Sequence, residues 1–124
     1  MSFQEKVSPL EGITILDMST VLSGPASTML LADQGARVIK VESSSGDLTR
    51  KMGIRKGSLS TAFININRGK QSLSIDLKTA EGCQIIEGLV GNCDVFVQNF
   101  RPGVIERLGL GEKSIRKLNN QIVY

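Results

Sequence analysis

Ile13-Thr-Ile-Leu-Asp17, Ser23-Gly-Pro-Ala-Ser-Thr-Met-Leu-Leu-Ala-Asp33 and, after Gly35, Arg37-Val-Ile-Lys-Val-Glu42 decide the fold of this chain. The first run is short and apolar, as a buried strand is. Ser23-Gly24-Pro25 breaks it, and Ala26, Met29, Leu30 and Asp33 then recur at helical spacing. Gly24 suits the cap position and Pro25 the first helical position, where a missing N–H costs nothing. Gly35 is placed to end the helix in the left-handed region. The third run supplies a second strand. A strand, a helix of about ten residues and another strand predict a βαβ unit, with a right-handed crossover and parallel pairing.

Outward from that unit, Ser43 to Ser60 turns to Ser, Gly, Lys and Arg with no sustained apolar period, which predicts a long surface loop. Order resumes around Phe63. Ser72-Leu-Ser-Ile-Asp-Leu77 alternates as a half-buried strand does. Thr79 can cap a helix whose apolar face is Cys83, Ile86, Leu89 and Val90, and Gly91-Asn92 ends it. Val95-Phe-Val97 is a further short buried strand, so the second half repeats the βαβ logic. Lys113 to Leu118 reads as a short helix ending at Asn119-Asn120, and Gln121 to Tyr124 as the start of a strand. The expected fold class is α/β: Rossmann-like βαβ layers on a mainly parallel sheet, in a single small domain over residues 1–124.

Composition agrees with a globular α/β chain: 124 residues, 40% hydrophobic and 22% charged. A net charge of +3 suits an anionic ligand. It is too small, and its lysines and arginines too scattered, to point to nucleic acid. The chain has no histidine, which excludes Ser-His and Cys-His nucleophilic pairs and leaves Cys83 and Cys93 without partners for a zinc site. Both cysteines read as reduced and structural. Met1 to Val7 lacks a cationic start followed by an apolar run, and nothing approaches the roughly eighteen apolar residues of a membrane span. No membrane association and a cytoplasmic location are the expectations.

Asp94-Val-Phe-Val-Gln-Asn-Phe-Arg-Pro-Gly-Val-Ile-Glu-Arg-Leu-Gly-Leu110 carries the functional signal, because a strand runs into a loop presenting amide, aromatic and guanidinium groups together. Three other stretches accompany it in order. They are Pro9-Leu-Glu-Gly-Ile13 with Asp17, then Ser23-Gly-Pro25 through Ala32 to Glu42, then Asn67-Arg-Gly-Lys-Gln-Ser72 through Asp76-Leu-Lys78. Together they resemble the family III CoA-transferases of the CaiB/BaiF type, the group containing formyl-CoA and carnitine-CoA transferases and the α-methylacyl-CoA racemases. The resemblance runs from about Leu10 to Tyr124.

That resemblance implies coenzyme A or an acyl-CoA as ligand. Such a molecule needs cations, backbone donors and an apolar slot. By the same resemblance Leu22 and Ser23 line the site beside the first helix, Ile75 and Lys78 run along the nucleotide, Asn99, Phe100 and Arg101 form the adenine and ribose-side loop, and Arg107 pairs with phosphate. Blander explanations accompany several of them: a simple capped turn for Ser23-Gly24-Pro25, a solvated lysine for Lys78 and core packing for Phe100. The family commonly has a basic residue or proline where this chain has Ser43. Arg50, Lys51, Arg55 and Lys56 are the loop cations that could take over a phosphate contact.

The family's nucleophile is an aspartate in a later segment, and no residue here matches it. Asp17, Asp33, Asp76 and Asp94 read as strand-end and helix-surface carboxylates. The resemblance therefore implies the N-terminal, CoA-binding portion of the family fold, with no catalytic residue and no metal, unable to transfer CoA alone. It also implies a homo-oligomer or a chain supplying the catalytic part. Two other readings stand beside it. One is a non-catalytic interaction module on the same fold. The other is a mono- or dinucleotide-binding Rossmann module using Gly24 and Glu42, although the Gly-x-Gly-x-x-Gly turn is missing.

Overall fold

Two βαβ units share one parallel sheet. The computed structural model describes residues 8–57 and 59–124, so the reading of Met1 to Val7 lies outside the described residues. β1 (Thr14–Asp17), α1 (Ser23–Asp33) and β2 (Arg37–Glu42) form the first unit. A 3-10 turn (Leu48–Lys51), a two-stranded hairpin of β3 (Arg55–Lys56) and β4 (Leu59–Ser60), and α2 (Thr61–Asn67) lead to β5 (Gln71–Ser74). α3 (Ala80–Val90), β6 (Val95–Val97), α4 (Val104–Arg107) and α5 (Glu112–Leu118) complete the described chain.

The strand order is β5-β2-β1-β6, parallel throughout, with Ile15 opposite both Val38 and Val95. Val123 makes a single parallel bridge to Val95, so the expected strand over Gln121 to Tyr124 is present only as that one pairing. The chain steps outward from β1 to β2 to β5 and then crosses back to lay β6 on the other side of β1, which makes the gap between β1 and β6 the topological switch point of a doubly wound sheet.

Local chemistry explains the helices. Thr79 accepts the Gly82 amide at 3.0 Å and starts α3, as its sequence position suggests. Gly35, at φ +99°, follows α1 in the left-handed region. Pro25 is not the first helical residue, because α1 begins at Ser23 and its N-cap position, Leu22, offers no side-chain acceptor. Gly24 lies inside the helix for a packing reason: a Cβ there would collide with the Ser19 side chain. β5 is shorter than the Ser72–Leu77 alternation implies, since Asp76 turns back to accept the Lys78 amide at 2.9 Å.

The Ser43–Ser60 segment is ordered rather than a plain loop. Asp47, Thr49 and Ser60 are buried in it. Asp47 Oδ1 accepts both the Thr49 amide and its hydroxyl, at 2.8 and 2.7 Å. The Ser60 hydroxyl donates to the carbonyls of Thr49 and Met52 and accepts the Phe63 amide, which starts α2. Short polar side chains holding backbone groups supply this order, and an apolar period does not detect them.

One face of the sheet packs Leu16, Met18, Ile39, Val41 and Phe96 against α3, α4 and α5, and the Phe96 ring stacks on Tyr124 with centroids 5.3 Å apart. The α1 face has a smaller cluster around Ile15, Ala36 and Val38. Cys93 is buried in the larger core, and burial, with Asp94 beside it, pushes its thiol pKa up; Cys83 and Cys93 are both free thiols. Among the described residues no helix is long and apolar enough to cross a membrane.

Candidate functional site

Parallel pairing puts the carboxyl ends of β1, β2, β5 and β6 on one edge, where ligands of open α/β sheets bind. A cavity of about 120 Å³ opens there. Met18, Val41, Leu77 and Phe100 give it apolar walls, and Thr20, Glu42, Ser43 and Asp47 a polar side. A second cleft of about 240 Å³ shares Glu42 and Ser43 and adds Ser44, Ser45, Arg50, Ser72 and Ser74. An apolar slot beside a hydroxyl-lined cleft suits a ligand with a flat or apolar part and a polar part.

The turn between β1 and α1 borders the cavity and is held from several sides. The Met18 amide donates to the Val97 carbonyl at 2.8 Å. The Asn99 side chain accepts the Thr20 amide and donates to the Thr20 carbonyl, both at 2.8 Å. The Val21 amide donates to Asp47 Oδ2 at 3.2 Å. Val21 has φ +67° and, among the described residues, is the only non-glycine in the left-handed region. For a β-branched residue that backbone is strained, and strain persists only where surroundings impose it.

Buried charges underlie this turn. Lys40 donates to the Ser19 carbonyl and pairs with Asp47 at 3.4 Å, with side chains 2% and 0% exposed. Asp17, fully buried, accepts Lys70 at 2.9 Å, the Thr28 hydroxyl at 2.6 Å and the Ser19 hydroxyl. Glu42 takes the Arg50 guanidinium through both oxygens, at 2.8 and 2.6 Å, and that guanidinium lies over the Phe63 ring at 3.6 Å. Burial alone would raise the pKa of Asp17. Lys40, the Ser19 and Thr28 hydroxyls and Lys70 outweigh it and hold the carboxyl below its ordinary value. Burial opposes Glu42 and Asp47 in the same way, and Arg50 and the Thr49 hydrogen bonds respectively lead in holding them low. Burial drives the Lys70 pKa down, with Asp17 only partly restoring it.

The residues singled out from sequence distribute along this edge. Phe100 lines the cavity directly and also packs on the core. Ile75 is buried behind the edge, its amide bonded to the Glu42 carbonyl at 2.9 Å. Leu22 and Ser23 are exposed at the start of α1, Lys78 is exposed after β5, and Arg101 is exposed after β6. Arg107 is exposed at the end of α4, its guanidinium reaching back over Gly103. Leu22, Ser23, Lys78, Arg101 and Arg107 line neither of these two openings. The Asn99 amide is engaged with Thr20 at one donor and one acceptor.

Sequence reading missed Met18, Thr20, Val41 and Asp47 in the cavity wall, and Lys40 behind it. Two signals existed. Asp47-Leu-Thr49 is a side-chain capping pattern, and Lys40 interrupts the apolar run of a strand destined for burial on both faces.

Comparison with known proteins places this architecture. Residues 10–124 match CoA-transferase family III. The chain belongs to that family. The mouse (Mus musculus) succinyl-CoA:glutarate CoA-transferase is 43% identical over 122 residues, 97% of this chain and 28% of that protein. The acetyl-CoA:oxalate CoA-transferase of Acetobacter aceti is 40% identical over 117 residues, 94% of this chain and 30% of that protein. A CAIB/BAIF family protein from Brucella suis has a similar solved structure, with a TM-score of 0.89 and 37% identity over 94% of this chain and 32% of the other. This family III chain thus spans about a third or less of the length of these relatives.

Each of the five aspartates in this family III chain already accepts a hydrogen bond. Asp17 and Asp47 are engaged at both oxygens, Asp33 pairs with Arg68, Asp76 accepts Lys78, and Asp94 accepts the Thr14 amide at 2.8 Å. Glu42, the acid a dinucleotide fold would turn toward ribose, is held by Arg50 and by the Asp47 amide.

Proposed function

We propose that this chain is the N-terminal, CoA-binding portion of a family III CoA-transferase-like protein, acting as one domain over residues 1–124. CoA or acyl-CoA lies along the carboxyl edge of the sheet. Phe100 and the apolar cavity wall take the flat end of the ligand, with Ile75 supporting them. Leu22 and Ser23 border the ligand at the start of α1, and Lys78, Arg101 and Arg107 supply cations for its phosphates. Asn99 belongs to the same loop. The carboxylate that accepts the acyl group comes from another segment, and a homo-oligomer or a second chain completes the site, in the cytoplasm. The observation that carries this reading is the cavity at the carboxyl edge of the parallel sheet in a chain that belongs to a CoA-transferase family.

Calorimetric titration with CoA, at low and moderate salt and with NAD as control, tests it. Saturable CoA binding that weakens with salt and drops about tenfold or more in Arg107→Ala supports it. A folded chain that ignores CoA sinks the idea of an autonomous CoA module.

A second reading, an assembly module on the same fold, draws on exposed apolar side chains such as Leu22, Leu48, Met52 and Ile54, the last 80% exposed. A stable oligomer unaffected by CoA and by Arg107→Ala would favour it.

A further inference from the structure

Asn99 sits in a loop whose amide, aromatic and guanidinium groups suggest direct ligand contact, yet its amide faces the protein. It clasps Thr20 in both directions, joining the loop after β6 to the turn after β1 across 79 residues of sequence. Thr20 and Asp47 both line the cavity, and Val21, between them in this arrangement, hangs by its amide from Asp47. The backbone of Val21 is in the left-handed region, which a β-branched residue leaves when nothing holds it there. Two anchors, Asn99 on one side and Asp47 on the other, therefore impose the shape of one cavity wall.

We propose that Asn99 is a positioning residue: its two hydrogen bonds to Thr20 hold the β1–α1 turn, with Val21 left-handed, in the form that builds the wall of the CoA slot. The inference rests on the CoA reading of this edge. It assigns Asn99 an action through the turn rather than on the ligand's base. Asp47 shares the task, but it also pairs with buried Lys40, so its replacement risks the fold and tests the point less cleanly.

Glycine supplies the discriminating test, because it adopts positive φ without strain and has no need of the clasp. With CoA as the titrant, Asn99→Ala should weaken binding by about tenfold, since the relaxed turn must be driven back at each binding event. Adding Val21→Gly to Asn99→Ala should recover much of that loss, because the left-handed form then carries no steric strain and is readily populated without the clasp. Val21→Gly alone should raise the urea midpoint, a change that reports the strain independently of ligand. A direct contact between Asn99 and CoA predicts no recovery, so a double variant as weak as Asn99→Ala overturns the inference. Unaltered affinity in Asn99→Ala overturns it too, while leaving the CoA reading intact. Failure of the unsubstituted, folded chain to bind CoA overturns both.

Discussion

The two faces of the sheet are built from the same strands yet solve different problems. Toward α3 and α5 the strands present Leu16, Met18, Ile39, Val41 and Phe96, apolar from end to end. Toward α1 they begin apolar, with Ile15 and Val38, and become ionic at the carboxyl edge, where Asp17 and Lys40 are neighbours in register. One face concentrates apolar burial, the chief stabilising term. The other has less of it and instead fixes the positions of loops at the candidate site through Lys40, Asp47, Asp17 and Lys70. Paired charges in a dry setting are weak as net stabilisers and strict about geometry, which is the property a preorganised edge needs.

The apolar face should give the largest loss on truncation. Phe96→Ala removes a side chain 2% exposed that stacks on Tyr124, and the resulting cavity should cost about 4 kcal/mol in urea unfolding. A loss under about 1 kcal/mol would mean that this face is not the main support.

Lys40→Met comes next. Methionine fills the space, but Asp47 and the Ser19 carbonyl lose their cation, and stability should fall by about 3 kcal/mol. The pH profile sharpens the assignment. Asp17, Glu42 and Asp47 have pKa values lowered by folding, from ordinary values of 3.8, 4.5 and 3.8. Their contribution is therefore complete above those ordinary values and is lost as pH drops below them through the folded values. Lys70, also lowered, releases its proton more readily folded than unfolded, so raising the pH costs nothing there. In Lys40→Met the acid loss should be smaller and should end at a higher pH, because without that lysine the folded carboxyls of Asp17 and Asp47 are held less far below their ordinary values. An unchanged acid limb would remove Lys40 from the network.

These contrasts mark what the sequence could tell. The βαβ order was legible because Gly35 and Thr79 punctuate helices by local backbone chemistry, and the apolar runs set strands by period. Phe100 was legible as a residue of the edge from its loop. The ionic half was not, because Asp17 meets Lys40 only through strand register, Lys70 reaches Asp17 across 53 residues, and Asn99 finds Thr20 across 79. The Ser43–Ser60 segment misled for a related reason: its order depends on Asp47 and Ser60 bonding backbone groups, and hydropathy is blind to that.

The exposed pair Arg68–Asp33 gives the smallest effect and the closest control for the buried pairs. It bridges α1 to the end of α2 on the same side of the sheet, with side chains 46% and 40% exposed against 2% and 0% for Lys40–Asp47. Water and salt screen it, and two mobile side chains lose entropy in forming it, so Arg68→Ala should cost only about 0.5 kcal/mol. That cost should shrink further as salt rises toward 1 M, where screening acts over about 3 Å. The Lys40→Met loss should hardly change over the same range, because no solvent reaches the pair. If both losses respond equally to salt, water penetrates the ionic half and the candidate site is less rigid than the hydrogen bonds around Thr20 and Val21 imply. If only Arg68→Ala responds, the dry network at the carboxyl edge is what keeps the turn beside the slot in place.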